Sequence, residues 1–269
     1  MLSETCVYEG YETLRVVRRG KIVTVSFNRP QVKNATNPRM HGELARVFPE
    51  IGRDPEAHVV VLTGEGDCFS AGGDIGTMRA ALDDHARWVE GMVEARDILL
   101  GVVDLDRPVI AKVNGDAVGL GATLALFCDI VVARDTARII DPHVKIGLVA
   151  GDGGAVIWPA LVGYAKAKRY LLTGEPITGT EAASIGLISE AVPAEALDAR
   201  VEAIARGLAE GAAVAIRLTK KSINMELRQR LDRLIEAHLG YETMSHLSAD
   251  HREAVTAFTE SRPAVFTGR

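Results

Sequence analysis

Two glycine-rich stretches hold the residue types best suited to stabilising a negative charge. The first covers residues 64–74, and the second, residues 114–121, follows the apolar run 109–113. Glycine permits tight turns and close backbone approach, so each stretch can present a main-chain N–H, one near Ala71 and one near Leu120. Two such donors converging on one oxygen form an oxyanion hole, where each is typically worth about 3–4 kcal/mol of transition-state stabilisation. The predicted occupant is an enolate or a tetrahedral oxyanion; the alternative is that the glycines only allow tight packing.

These turns lie within an alternating pattern of strands and helices. A hairpin around Gly20 opens the pattern, and Asn37 before Pro38 is typical of a helix start. Helices between the later strands act as crossovers, which predicts parallel strand pairing in an α/β fold. The predicted strands are 14–18, 21–28, 58–63, 109–113, 129–133, 137–140 and 187–192. The predicted helices are 38–51, 75–78, 83–103, 119–127, 153–161, 166–172, 179–185, 194–209, 212–236 and 249–260.

The overall composition narrows the function. The 269 residues have a formal net charge of −5, with 47% hydrophobic and 25% charged residues, which suits a globular protein with a sizeable core and offers no basic field for nucleic acid. No signal segment or membrane-length apolar run is found, so a cytoplasmic protein without a membrane partner is expected. The isolated Cys6, Cys68 and Cys128 suggest neither a disulfide nor a zinc site, and the seven histidines form no metal-ligand cluster. Gly119-x-Gly121 lacks the third glycine of a dinucleotide-binding turn.

Longer motifs in the two turns resemble the enoyl-CoA hydratase/isomerase (crotonase) superfamily. They are Phe69-Ser70-Ala71-Gly72-Gly73-Asp74 and Asn114-Gly115-Asp116-Ala117-Val118-Gly119-Leu120-Gly121, followed by Leu124-Ala125-Leu126 and Cys128-Asp129-Ile130. The similarity covers nearly the whole chain. The resemblance implies a crotonase-like spiral of ββα turns over residues 1–195 that binds acyl-CoA. It further implies a helical C-terminal region, residues 196–269, that builds homotrimers or dimers of trimers.

The resemblance also implies individual site residues. It assigns the oxyanion-hole N–H groups to Ala71 and Leu120. It assigns contacts with coenzyme A to the loop residues Ser70, Ala71, Gly73, Asp74 and Ile75. Arg29 and Lys33 are candidates for the phosphates of coenzyme A, and the alternative for each is a solvated surface charge. Coenzyme A is part of the substrate, so no separate cofactor is expected.

The chain departs from the family pattern where acid–base chemistry is expected. Relatives that hydrate enoyl-CoA carry two glutamates, and this sequence has Thr123 and His143 in those places. Thr123 cannot act as a base at neutral pH, and we expect it to be buried and bonded to its own backbone. His143 titrates near neutrality and can act as acid or base; the alternative is a loop histidine bonded to backbone. Asp152 is the other candidate, near the position of a catalytic aspartate in some relatives, or else it caps the helix beginning near Gly153.

Two further residues are weaker candidates, and two classes of function stay open. Asp116 is expected to satisfy its own turn, and His85 lies in a segment that relatives use as a mobile lid. The first hypothesis is an enzyme that polarises an acyl-CoA thioester and moves a proton with His143 or Asp152. Hydration and isomerisation are the family's reactions, while the missing glutamates leave thioester hydrolysis and decarboxylation open. The second hypothesis is a non-catalytic acyl-CoA-binding member.

Overall fold

The structure is a computed structural model that describes residues 8–269, so the prediction for Cys6 lies outside it. Its strands are β1 (Leu14–Arg19), β2 (Ile22–Phe27), β3 (Val59–Gly64), β4 (Val109–Val113), β5 (Ala117–Val118), β6 (Ile130–Arg134), β7 (Arg138–Ile140), β8 (Ile177–Thr178) and β9 (Glu190–Val192). Its α-helices are α1 (Pro38–Arg53), α2 (Ile75–Ala81), α3 (His85–Asp104), α4 (Leu120–Phe127), α5 (Gly154–Thr173), α6 (Gly179–Ser184), α7 (Leu197–Glu210), α8 (Ala213–His246) and α9 (Ala249–Thr259). Cys68 and Cys128 are free and buried.

The strands form two sheets. The larger has the order β1-β2-β3-β4-β6-β9, in which the β1–β2 hairpin is antiparallel and every later pair is parallel. This confirms the predicted parallel pairing, which the crossover helices require. The smaller sheet has the order β5-β7-β8, and two of its strands are only two residues long. Strands that short carry no usable period-2 pattern, and the sequence did not predict β5 or β8.

Both faces of the larger sheet are covered, which explains the continuous apolar sequence of β3. Val59 and Val61 pack on one face with Val201 and Ala205 of α7. Leu62 points to the opposite face, into the main core beneath α1 and α3. Helix α7 therefore covers the side of the sheet that the other helices leave open.

The helix boundaries follow local chemistry at several places. Asn37 caps α1 by accepting from the Met40 N–H at 2.9 Å, with Pro38 in the first turn, as predicted. The two helices predicted on either side of residue 163 form one run, α5, kinked at Gly163, which has φ 73° and ψ 166°. No helix within residues 8–269 is both long and apolar enough to cross a membrane.

Helix α8 is longer than predicted. The apolar periodicity predicts an end near residue 236, whereas the helix continues to His246. Its last four turns are held by a buried stripe in which polar residues follow the apolar ones. The stripe is Leu231, Ile235, Leu239, Glu242 and His246. Because the last residues of this stripe are polar, apolar periodicity alone predicts a helix that is too short. The additional turns place Glu242 in the interior.

Candidate functional site

The two glycine-rich turns lie side by side, as the predicted site requires. Ser70 and Ala117 form an isolated parallel bridge, with the Val118 N–H donating to the Ser70 carbonyl at 2.9 Å. Gly72 has φ +80°, and a Cβ there would lie only 2.8 Å from the Val118 carbonyl oxygen. A Cβ on Gly121 would lie 2.6 Å from the Ser70 Cβ. These glycines are therefore needed because the two backbones touch.

Two buried asparagines fix the shape of these turns. Asn34 donates from Nδ2 to the carbonyls of Cys68 at 2.8 Å and Glu65 at 2.9 Å. Asn114 donates to the carbonyls of Gly64 at 3.0 Å and Gly66 at 2.9 Å. Both side chains replace the backbone ladder where the strands end, because buried carbonyl groups must be paired. Neither asparagine was predicted to have this role.

The predicted donor at Ala71 needs correction. Its N–H donates to the Lys33 carbonyl at 2.9 Å, so this group is already paired. Two residues further on, the Gly73 N–H has no acceptor among residues 8–269, and neither has the N–H of Leu120. Gly73 adjoins Gly72, whose Cα lies 3.9 Å from a Cβ built on Gly119, the residue before Leu120. Unpaired main-chain donors of the two turns thus include those of Gly73 and Leu120, which flank this contact.

Helix α4 orients the second donor. Leu120 is its first residue, so the N–H of Leu120 has no intrahelical acceptor and lies at the positive end of the helix dipole. Gly119 makes the turn with φ 53° and ψ −124°, while Leu120 does not have positive φ. The side chain of Leu120 is therefore compatible with the turn, because the left-handed residue is the glycine before it.

A buried cluster of ionisable side chains lies beside Gly119. His143 Nδ1 is 2.6 Å from Asp141 Oδ1, and His143 Nε2 is 3.5 Å from Asp152 Oδ2. The Thr123 hydroxyl lies 3.5 Å from the second oxygen of Asp152. The His143 Cε1 atom is 3.8 Å from a Cβ built on Gly119, so the imidazole adjoins the turn that carries the Leu120 N–H. The structure thus places the predicted acid–base candidates together and next to a predicted donor.

Within this cluster the pKa of His143 is raised and the pKa of Asp152 is lowered. Burial alone lowers the pKa of His143, but the facing Asp141 and Asp152 carboxylates raise that pKa well above its ordinary value. Burial alone raises the pKa of Asp152, but the His143 charge and the hydrogen bonds from the His143 ring and the Gly154 N–H lower that pKa below its usual range. At neutral pH the pair is therefore an imidazolium in contact with a carboxylate.

His143 and Thr123 bond side chains in place of the backbone hydrogen bonds that were their predicted alternatives. His143 lies on a 3-10 turn, His143–Ile146, and its ring bonds carboxylates instead of backbone. Thr123 is fully buried, but its hydroxyl contacts Asp152 instead of its own backbone. The N-cap residue of α5 is Gly153; Asp152 precedes it and still accepts from the N–H of Gly154, the first helical residue. Asp141, two residues before His143, was missed, although this Asp-x-His spacing was visible in the sequence.

The residues predicted to contact coenzyme A differ in how far their side chains are engaged within the fold. Arg29 donates from Nη1 to the Ala35 carbonyl at 2.5 Å and to Asp74 Oδ2 at 3.1 Å, so its guanidinium is partly engaged in the fold. Asp74 also caps α2 by accepting from the Thr77 N–H. Lys33 is exposed and borders a cavity of about 220 Å³. Of the two basic candidates, Lys33 is the more accessible.

The remaining candidates have structural positions. The fully buried Ser70 hydroxyl donates to the Asn34 carbonyl at 2.9 Å. Ile75 begins α2. The Asp116 carboxylate accepts from the main-chain and side-chain N–H groups of Arg138 in β7, so it bonds a distant strand and not its own turn. His85 is exposed at the start of α3 and is not part of the cluster around His143.

Comparison with known proteins gives consistent results. The family model described as enoyl-CoA hydratase/isomerase matches residues 18–269. The crotonyl-CoA hydratase of Syntrophomonas wolfei is 32% identical over 261 residues, covering 97% of this chain and 100% of that protein. The crystal structure of an enoyl-CoA hydratase/isomerase from Mycobacterium paratuberculosis superimposes with a TM-score of 0.89 at 34% identity, covering 93% of this chain and 99% of the other.

A third similar protein has a different activity. The structure of a β-diketone hydrolase from the cyanobacterium Anabaena sp. PCC 7120, bound to (S)-3-oxocyclohexyl acetic acid, has a TM-score of 0.82 at 28% identity. The match covers 88% of this chain and 95% of the hydrolase. Proteins that share this fold at about 30% identity therefore include a β-diketone hydrolase.

Proposed function

Because this chain belongs to the enoyl-CoA hydratase/isomerase family, we propose that it hydrates the double bond of an enoyl-CoA thioester through an enolate. Asp152 is the base and His143 is the acid. The observation that carries the proposal is the buried contact of 3.5 Å between these two groups, beside the turn of Gly119 and Leu120. The two-glutamate arrangement of other hydratases is absent, and one imidazolium–carboxylate pair takes its place.

Each step moves one proton. Asp152 takes a proton from water as the water oxygen bonds to the β-carbon, and electrons move through the α-carbon to the thioester oxygen. The N–H groups of Gly73 and Leu120 stabilise that enolate oxygen. His143 then gives the proton on Nε2 to the α-carbon. Asp152 passes its new proton to His143, which restores both groups.

Asp141 has a supporting role in this proposal. Its 2.6 Å contact with His143 Nδ1 orients the ring and leaves Nε2 as the nitrogen that exchanges a proton. Lys33 is the proposed contact for the phosphates of coenzyme A, because its ammonium is exposed near the loop that carries Gly73.

Isotope exchange tests the proposal directly. Incubation of crotonyl-CoA with the protein in heavy water should give 3-hydroxybutyryl-CoA with one deuterium at the α-carbon. A saturated acyl-CoA should exchange an α-hydrogen, since enolate formation needs no double bond. Absence of product and of exchange across thioesters of several chain lengths would favour the non-catalytic binding hypothesis and remove this one.

A second candidate function is hydrolysis of a β-diketone, favoured by the similar fold of the Anabaena hydrolase. The same pair would activate water: Asp152 takes its proton while the oxygen attacks one carbonyl carbon. The bond from that carbon to the central carbon then breaks, and His143 protonates the central carbon. Conversion of cyclohexane-1,3-dione to 5-oxohexanoic acid, with no turnover of enoyl-CoA, would select this candidate.

We also propose that the C-terminal region 196–269 forms the contacts of a homotrimer or a dimer of trimers. Large apolar side chains are exposed along this region. They include Val214, Leu218, Ile223, Met225, Tyr241, Met244, Leu247, Phe258, Val265 and Phe266. Exposed apolar surface of this extent is typical of protein interfaces.

A further inference from the structure

Glu242 is a buried carboxyl group that the proposed reaction does not use. It lies in the penultimate turn of α8 and is only 3% exposed. Its Oε2 atom has no hydrogen-bond partner in the part of the chain that the structure describes. Unpaired buried polar groups are uncommon because desolvating them is costly, so this group needs an explanation.

Glu242 lies directly beside the loop that carries Asp152. The main-chain N–H of Asp152 donates to the Glu242 carboxyl group. Next to Asp152, Gly151 packs so closely on α8 that a Cβ there would lie 2.8 Å from Glu242 Oε2. The loop that carries Asp152 is therefore seated directly on this glutamate.

The titratable groups around Glu242 lie on the neighbouring loops and on its own helix. Asp152 and Asp141 face it as carboxylates, and His143 is the cation on that side. On α8, burial lowers the pKa of His246 to about 4 and also lowers the pKa of His238, so both imidazoles are neutral at pH 7. His41, which is paired with Glu94, adds a weaker positive influence on Asp152.

Burial and the two carboxylates together decide the protonation of Glu242. Burial is the larger effect, and with the Asp152 charge it raises the pKa of Glu242 to about 8. The carboxyl group is therefore protonated and neutral at pH 7. It loses its proton within the alkaline range that a solution experiment can reach.

We propose that Glu242 is a positioning residue for the proposed reaction: as a neutral acid it holds the Asp152 loop, and its ionisation impairs proton transfer by the His143–Asp152 pair. This inference rests on the proposed function. An ionised Glu242 adds a third negative charge to a site with one cation, so His143 holds its proton more tightly. A tighter hold slows the transfer from Nε2 to the substrate carbon.

The test compares Glu242→Gln, which cannot ionise, with Glu236→Gln on the same helix. Glu236 is a suitable control because its side chain is 69% exposed and pairs with Arg96. In the wild type and in E236Q, kcat/KM should fall about tenfold between pH 7 and pH 9, as one group ionises near pH 8. E242Q should lack the fall centred at pH 8. The same fall in E242Q would overturn the proposal.

A measurement without turnover separates this proposal from the proposed function. The ring signals of His143, followed by NMR, should shift near pH 8 in the wild type and E236Q but not in E242Q. A wild type with this Glu242-dependent shift that turns over neither enoyl-CoA nor diketone would overturn the proposed function while supporting the proton on Glu242. If E242Q does not fold, carboxyl-labelled glutamate in the wild type decides. One signal that titrates near pH 8 supports the proposal, and titration of every glutamate below pH 6 overturns it.

Discussion

The two carboxylates that contact His143 lie at different distances from its ring and therefore have different roles. Asp141 is 2.6 Å from Nδ1, a close contact that fixes the ring. Asp152 is 3.5 Å from Nε2, so a small movement can replace that contact with one to water or substrate. Both are buried, which strengthens their interactions with the imidazolium. A cation with one close and one loose anion suits repeated proton transfer.

Replacing Asp152 by Asn should remove the base while preserving the shape of the side chain. We expect kcat to fall about 10²-fold or more, with little change in the affinity for coenzyme A, because the proposed contact for the substrate phosphates is Lys33 and not Asp152. Steady-state kinetics and calorimetric binding of coenzyme A measure the two effects. Asp198→Asn is the control, since this side chain is 85% exposed and pairs with Lys112. Unchanged kcat in Asp152→Asn would remove this residue from the mechanism.

Leu120→Pro should remove one proposed oxyanion donor without breaking α4. Proline is tolerated at the first helical position, where the N–H has no intrahelical partner. Loss of one such donor typically costs about 3–4 kcal/mol of transition-state stabilisation, so kcat should fall about 10²–10³-fold. Leu120→Ala retains the N–H and is the matched control, measured in the same kinetic assay. Equal losses in the two variants would assign the effect to the leucine side chain and not to the donor.

The positions of strands, helices and turns could be predicted from the sequence where they depend on local patterns. The order of most strands and helices follows from apolar periodicity, and the two turns follow from their glycines. The choice between Ala71 and Gly73 does not, because it depends on the segment at Lys33, whose carbonyl occupies the Ala71 N–H. Pairing between distant segments is a tertiary property that a local pattern does not contain.

The position of Glu242 beside Asp152 could not be predicted from the sequence for the same reason. Nothing in the sequence around it relates it to Asp152, which is far away in the chain, and the polar end of α8 does not indicate burial. The relation exists because α8 continues to His246 and packs beneath the loop at Gly151. A region predicted to serve only assembly therefore also contributes to the site.

Gly151→Ala should disturb this contact between loop and helix. A Cβ at Gly151 would overlap the His238 carbonyl oxygen and press on Glu242. Overpacking against backbone typically costs about 1–3 kcal/mol, so we expect a loss of that size in the free energy of unfolding, together with lower kcat. Denaturant unfolding and steady-state kinetics check both.

Gly240→Ala on α8 is the control for this substitution. Gly240 lies inside the helix, and a Cβ there would meet nothing within 4 Å. Alanine in place of glycine in a helix interior should stabilise by up to about 1 kcal/mol. Equal stability of Gly151→Ala and the wild type would show that the loop can move away from α8 without cost.

The proposed assembly through residues 196–269 can be tested by changing apolar side chains that this region exposes. Phe258 and Leu247 are 63% and 67% exposed. Aspartate at both positions should dissociate the proposed trimer, because a charge buried in an apolar interface is unfavourable. Light scattering after size exclusion measures the mass. Leu172→Asp, at an equally exposed apolar residue of α5, should leave the mass unchanged. Dissociation by Leu172→Asp alone would place the interface outside the C-terminal region.

The stability of the whole fold should depend on pH through Glu242. Its pKa is raised from 4.5 to about 8 on folding, so the folded state binds this proton more tightly than the unfolded chain. The stabilisation from that proton is complete below pH 4.5 and is lost as pH rises to 8, a loss on the order of 3–5 kcal/mol. Glu242→Gln cannot lose a proton, so its stability relative to the wild type should increase from pH 5 to pH 9. Denaturant unfolding at pH 5, 7 and 9, at one protein concentration, measures this difference, with Glu236→Gln as control. A difference that is the same at all three pH values would mean that Glu242 is already ionised at pH 5 or is not buried in solution.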